Sequence, residues 1–128
     1  VISINGGVQL DLMGQENAES TGTRQLSGVG GQMDFLEGAY RSKGGKGFIC
    51  INSSRVTKDG ERKSNILATI PGGSTISAPR TMIQYVATEY GIASLSGKTL
   101  RERAEAMASI AHPDFREELM KYARENFK

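Results

Sequence analysis

The sequence predicts a layered α/β fold, an open mixed sheet covered by helices, and three observations carry that prediction. Short β-rich runs separated by turn residues fill much of the first two thirds of the chain. The last third holds two apolar stripes of helical period, each preceded by a start signal. With 128 residues, the chain is long enough for one domain with its own core. Strands mixed with covering helices define that layered class.

VISIN and VQLDL open the chain as two strands joined by a tight turn at Gly6 and Gly7, and in the second Val8, Leu10 and Leu12 alternate with Gln9 and Asp11. The polar span GQENAESTGTRQ and the glycine turn SGVGG follow. Met33, Leu36 and Tyr40 then recur at near-helical spacing, which predicts a helix to about Arg41. SKGGKG reads as a flexible basic loop, and the continuous apolar run FICI as a strand buried on both faces. VTKDGERK, with Asp59-Gly60 at its centre, predicts a hairpin turn leading into a strand over SNILATI, which Pro71, Gly72 and Gly73 end. MIQYVATEY supplies one more strand, up to Glu89, followed by an irregular exit.

Thr99 and Glu102 make a capping-box pattern before a helix whose apolar face is Leu100, Ala104, Met107, Ala108 and Ala111. Pro113 restarts the chain. Asp114 with Glu117 repeats the cap signal, and Phe115, Leu119, Ala123 and Phe127 form the last stripe.

Charges of both signs nearly cancel, giving a net charge of +2, so no strong field points to nucleic acid or to a membrane surface. No apolar run approaches the roughly 20 residues of a membrane-spanning helix, and the N-terminus has no signal-peptide pattern. Cys50 is the only cysteine, which rules out an internal disulfide and agrees with a reducing compartment, hence the cytoplasm. A start at Val1, already inside a strand, reads as a piece of a longer chain.

Few residues suggest chemistry on local pattern alone. A glycine-rich turn entering a helix presents unpaired N–H groups beside the positive end of the helix dipole, which suits an anion or an oxyanion. GVGG lacks the Lys-Ser/Thr of a phosphate loop and the spacing of a dinucleotide fingerprint, so on local pattern a plain structural turn is the favoured reading over a ligand loop. Glu89 follows an apolar strand, where open α/β sheets gather ligands, although a solvated carboxylate would look the same. Lys43 and Lys46 lie among glycines, either as phosphate contacts or as a solvated loop. His112 has no nearby Cys or paired His and reads as a capping or packed histidine rather than a metal ligand. Cys50 reads as an inert core thiol. Ser20, Ser27, Ser53 and Ser77 lack a Gly-x-Ser-x-Gly elbow, which leaves a serine hydrolase unsupported.

Four stretches resemble one family, in order and over nearly the whole chain: INGGVQLDLMGQ, STGTRQLSGVGGQMDF, ATEYGIASLSGKTLRERAEAM and IAHPDFREEL. They are similar to the C-terminal domain of the acetyl-CoA hydrolase/transferase family, which includes CoA-transferases of the 4-hydroxybutyrate and butyryl-CoA:acetate types. The resemblance implies a CoA-transferase-like α/β fold and half of a two-domain, homodimeric enzyme. That enzyme moves coenzyme A between an acyl-CoA and a small carboxylate and holds no permanent cofactor and no metal. In such enzymes a glutamate attacks the thioester, giving an acyl-glutamyl anhydride and then a glutamyl-CoA thioester, a route that needs oxyanion donors.

By the same resemblance, Gly30 and Gly31 are expected to donate backbone N–H groups to the oxyanion. Val8, Gly28, Val29 and Gly31 are expected along coenzyme A, Lys43 rather than Lys46 at a phosphate, and Glu89 beside the acyl or carboxylate pocket as a supporting group. The nucleophile of the family sits in a Gly-x-His-Ser/Thr-Glu-Met-like stretch upstream, and nothing in these 128 residues resembles it. Glu16 and Glu19 lie in a connection and take no such part. The isolated chain is therefore expected not to turn over. An acyl-CoA hydrolase or a non-catalytic coenzyme A or nucleotide binding module are the alternatives.

Overall fold

A computed structural model describes all of residues 1–128. Its centre is a four-stranded sheet built from β1 (Ile2–Gly6), β6 (Lys46–Cys50), β10 (Tyr85–Thr88) and β11 (Gly91–Ser94), in the order β1-β6-β10-β11. The first three strands run parallel, and β11 returns antiparallel to β10. A second sheet, β3-β2-β9, joins β2 (Gln9–Asp11), β3 (Glu16–Asn17) and β9 (Ile66–Leu67). Two small hairpins complete the strands, β4 (Ser20–Thr21) with β5 (Arg24–Gln25) and β7 (Ser54–Val56) with β8 (Arg62–Ser64). The helices are α1 (Gln32–Arg41), α2 (Leu100–Ser109) and α3 (Pro113–Asn126).

Side chains alternate across a strand, and this decides what the central sheet buries. Ser3, Gly47, Ile49, Val86 and Ala93 point to the helix side, where Leu36 of α1 and Ala104 and Met107 of α2 join one continuous core. The other face carries Ile2, Ile4 and Ile92, which are 67%, 70% and 63% exposed, beside a stacked Phe48–Tyr85 pair with ring centroids 4.9 Å apart. The helices cover one face and leave an apolar face bare. FICI is thus not buried on both faces: Ile49 and Ile51 go in, and Cys50 comes out exposed, so it is not a core thiol.

The turn at Gly6 and Gly7 does not join a hairpin. β1 pairs with β6, whereas β2 pairs with β3 and β9, so the chain passes from one sheet to another there. Alternation in VQLDL also misleads, because Gln9 and Asp11 are buried along with Leu10 and Leu12. Asp11 is satisfied locally, accepting from the N–H groups of Met13 (3.0 Å) and Gln15 (2.9 Å) and from the Gln15 side-chain amide (2.7 Å). The polar span after it is not a loose connection either. Asn17 and Ser20 are buried, and Asn17 Oδ1 accepts from the N–H groups of Glu19 and Ser20, each at 3.0 Å. Buried polar side chains with partners of this kind do not carry a hydrophobic period, so the sequence pattern could not announce them.

The Asp59-Gly60 hairpin is present, with Gly60 at φ +82°, although only Ile66–Leu67 of SNILATI is strand. The exit after Glu89 is regular: Glu89 and Tyr90 turn the chain directly into β11, a strand the sequence reading lacks. The Thr99–Glu102 capping box forms as expected, with Leu100 half-exposed beside the buried Ala104, Met107 and Ala108. The start of α3 differs. His112 Nδ1 caps it by accepting from the Asp114 N–H at 3.2 Å, and Pro113 takes the first helical position, which needs no N–H. Arg103 ties α2 to three loops, donating to the carbonyls of Met13 (2.9 Å), Leu95 (3.0 Å) and Arg80 (2.8 Å).

Candidate functional site

The carboxyl ends of the three parallel strands lie side by side, because Gly6 pairs with Cys50 and Cys50 with Ala87. A cavity of 400 Å³ opens there, lined by Gly7, Cys50, Ile51, Asn52, Ala87 and Thr88. This is the edge at which open α/β sheets hold ligands. A larger cleft of 560 Å³ lies elsewhere, between the β7–β8 hairpin, β9 and α3, and contains none of the residues the sequence singles out for chemistry.

Helix α1 points its start at the same edge. Gln32, its first residue, donates its side-chain amide to the Gly6 carbonyl at 3.3 Å. Gly31 is its N-cap with φ −99°, and no side chain caps the helix. The N–H groups of Gly30 and Gly31 have no acceptor in the protein. Gly30 holds a positive φ of +61°, a conformation that favours glycine. Gly28 and Gly30 are open on the side a Cβ would occupy, and at Gly31 only the Phe35 ring comes near, at 3.7 Å. Val29 is 55% exposed. An uncapped helix start with free, outward N–H groups can stabilise negative charge on a bound oxygen.

Glu89 stands in the turn after β10, exposed, with Oε1 accepting from the Ser53 N–H at 2.8 Å. Slight burial raises its carboxyl, but the N–H of Ser53, its own N–H and the nearby His112 outweigh this and hold it below the usual carboxylate range. Glu89 is thus kept as a carboxylate at the end of the central strands, fit to orient a donor. His112 serves structure, packing edge-on to Tyr90 and Phe115 at 5.9 and 6.0 Å.

Gly28, Val29, Gly30 and Gly31 lead into the helix start that Gln32 ties to Gly6, Glu89 follows Thr88, and Val8 follows Gly7 with its N–H bonded to the Asn17 carbonyl at 2.9 Å, but none of the six lines the 400 Å³ cavity itself. Lys43 does not join them. It is exposed beyond the C-terminal end of α1, in the loop that enters β6 at its amino end. Ten residues of helix, about 15 Å, separate it from Gly31. The serines are framework: Ser77 Oγ accepts from the Ala18 N–H at 2.9 Å, and Ser20 Oγ accepts from the Thr75 N–H at 3.1 Å.

Two residues at this edge escape a reading by motif. Gln32 follows the glycine turn directly, a position that could have flagged it. Glu16 sits in a polar span and is fully buried. Its Oε2 accepts from Gln32 Nε2 at 2.9 Å, and its Oε1 is buried without a partner. Burial, and more weakly Glu19, raise its carboxyl to about 7 against the opposing Gln32 bond.

An open parallel-centred sheet with a glycine loop and a carboxylate near its carboxyl edge defines an α/β domain of the class whose ligands sit at that edge. Comparison with known proteins makes the class particular. Residues 1–123 match the acetyl-CoA hydrolase/transferase C-terminal domain, and the chain belongs to that family. It is 50% identical over 122 residues to a butyryl-CoA:acetate CoA-transferase of Anaerostipes caccae, a match that covers 95% of this chain and 27% of that protein. It is also 50% identical over 127 residues to a 4-hydroxybutyrate coenzyme A transferase of Clostridium kluyveri, covering 99% of this chain and 29% of the other. Among solved structures, the 4-hydroxybutyrate CoA-transferase of Porphyromonas gingivalis superposes with a TM-score of 0.73 at 41% identity, over 98% of this chain and 27% of that one. The chain thus spans less than a third of the length of these relatives.

Proposed function

We propose that the chain is the C-terminal part of an acyl-CoA:carboxylate CoA-transferase of the 4-hydroxybutyrate or butyrate/acetate type. It supplies thioester and oxyanion contacts to a glutamate nucleophile carried upstream in a longer chain. The observation that carries this reading is the pair of acceptor-free N–H groups, Gly30 and Gly31, at an uncapped helix start that Gln32 ties to the Gly6 carbonyl at the carboxyl end of β1. Family membership and the names of the relatives support it.

In this reading the carboxylate of the upstream glutamate attacks the thioester carbonyl, and the negative charge that develops on the carbonyl oxygen is taken by the N–H groups of Gly30 and Gly31. The thiolate of coenzyme A then leaves, giving the acyl-glutamyl anhydride. Return of the thiolate to the glutamyl carbonyl releases the first carboxylate and leaves the glutamyl-CoA thioester, which the second carboxylate takes over by the reverse sequence. Val8, Gly28 and Val29 run along the coenzyme A chain, and Glu89 orients the carboxylate side. Lys43, set apart at the other end of α1, reaches a phosphate only if the bound cofactor extends along that helix.

The bare apolar face with Ile2, Ile4 and Ile92 supports an upstream domain that packs over this sheet. The family resemblance supports a homodimer, and the single cysteine agrees with a reducing compartment, the cytoplasm. The test is exchange of coenzyme A between butyryl-CoA and labelled acetate by the full-length enzyme, run beside the 128-residue chain alone. Exchange is expected only with the full-length enzyme. Sustained turnover by the short chain would show that the nucleophile lies within it. Release of free coenzyme A independent of acetate would mark a hydrolase, and binding of coenzyme A without either reaction a binding module.

A further inference from the structure

We propose that Glu16 is a positioning residue for the glycine loop, acting through the Gln32 amide, which ties the start of α1 to both the buried Glu16 carboxyl and the Gly6 carbonyl. This rests on the function proposed above for Gly30 and Gly31. The geometry makes Gln32 Nε2 a hub: it donates to Glu16 Oε2 at 2.9 Å and to the Gly6 carbonyl at 3.3 Å. Three chain segments that are separate in the sequence meet there, namely the turn after β1, the strand β3 and the loop that ends at Gly31.

The alternatives for fixing this loop are few. Helix α1 has no side-chain cap, and Gly28, Val29, Gly30 and Gly31 are all exposed. No backbone bond of the protein engages the N–H groups of Gly30 and Gly31. Upstream the loop is anchored at Leu26 and Ser27, whose N–H groups donate to the Glu19 carbonyl at 2.7 and 3.2 Å, and downstream by the first turn of α1, held at its polar end by Gln32. Glu16 is itself rigidly placed, since its backbone N–H donates to the Ala78 carbonyl at 3.0 Å and its carbonyl accepts from Ser77 at 2.7 Å. Its side chain also backs the other glycine segment, because Glu16 Cγ lies 3.3 Å from where a Cβ on Gly7 would stand. A carboxyl buried this fully in apolar company, with Ile49 and Ile51 beside the same point, is costly unless something uses its directional bond. Gln32 and Glu19 are the polar groups that bear on its ionisation.

The test uses the full-length enzyme with Glu16→Ala, Glu16→Gln and Gln32→Ala. It reads kcat, KM for butyryl-CoA, and amide hydrogen exchange over residues 35–38, the first amides of α1 that have acceptors, beginning with the Phe35 N–H on the Gly31 carbonyl at 3.2 Å. Loss of a tether of one hydrogen bond is expected to raise exchange in that segment and lower kcat, each about tenfold, with KM changed less than about twofold. Glu16→Gln keeps an acceptor for Gln32 and is expected to restore both. If Glu16→Ala does not fold, Gln32→Ala, at a half-exposed helix start, decides alone. Unchanged exchange over 35–38 in Gln32→Ala would overturn the tether, as would a Glu16→Gln variant no better than Glu16→Ala. Exchange needs no turnover. An inactive wild-type enzyme whose variants still show the expected exchange pattern would therefore sink the proposed transferase and leave the positioning role standing.

Discussion

At Gly7 the missing side chain is demanded from within the protein, because a Cβ there would stand 3.2 Å from Ile49 Cγ2 and Ile51 Cγ2 and 3.3 Å from Glu16 Cγ. At Gly28 and Gly31, which face the same edge of the sheet, no such pressure exists. Gly28 has nothing near it, Gly31 meets only the Phe35 ring at ordinary contact distance, and neither holds a positive φ. A glycine costs more conformational entropy on folding than alanine, and at these positions the core gives nothing in return. Geometry thus separates a glycine that packing demands from glycines that it does not, and the ligand role proposed for Gly31 rests on the proposed function.

The largest expected effect breaks or upholds that separation directly. Gly31→Ala in the full-length enzyme keeps the N–H but sets a Cβ in the way of a ligand carbonyl, and should lower kcat by up to about 10²–10³, the cost of one oxyanion donor put out of reach. Its stability should fall by about 1 kcal/mol, since the added methyl has room and the cost is that of replacing an N-cap glycine by the less favoured alanine. Steady-state kinetics beside a melting curve measures both. A variant that is active and normally folded would remove the loop from the mechanism, and one that unfolds would mean Gly31 is a packing glycine after all.

The next effect concerns what lies behind the two glycine segments. Burial holds the Glu16 proton up to about pH 7 in the folded protein, against the ordinary carboxylate value of 4.5 when the chain is unfolded. Between those values unfolding releases a proton, so this group makes stability fall as pH rises from 4.5 to 7, and adds no slope outside the window. The full span corresponds to on the order of 3 kcal/mol. Melting temperatures of the wild-type and Glu16→Gln full-length enzymes, followed from pH 5 to 8, should diverge, with the wild type losing ground as pH rises. Parallel curves would show that Glu16 ionises as an ordinary surface carboxylate does.

Legibility in the sequence follows the same division between apolar and polar causes. Helices α2 and α3, the Asp59-Gly60 hairpin and the core of β6 were readable because a period of 3.6, a turn dipeptide or an apolar run marks them. β3, with the buried Glu16 and Asn17, was not, because its burial is stabilised by hydrogen bonds that leave no hydrophobic period. Cys50 was misread for a related reason: FICI is apolar throughout, but one face of the sheet is bare in this chain, and an apolar run does not tell which. At the site, the motif resemblance singled out the glycine loop and Glu89. It could not single out Gln32, whose role depends on a carbonyl 26 residues earlier in the chain.

The smallest effect falls on the packing side. Gly7→Ala forces Ile49, Ile51 and the Glu16 side chain to give way by a few tenths of an ångström, and overpacking of this kind costs about 1–3 kcal/mol. The lower end of that range applies, because the three neighbours are side-chain atoms that can shift and Gly7 needs no positive φ. The variant should melt below the wild type while keeping kcat within about tenfold, the loss expected if Glu16 is displaced enough to break one hydrogen bond to Gln32. Pairing it with Glu16→Ala, which removes the Cγ that the new methyl would meet, should recover part of the lost stability through a non-additive term, as residues in contact do. A loss of kcat at Gly7→Ala as deep as that at Gly31→Ala, with no change in melting, would mean that a ligand rather than the core requires this glycine too.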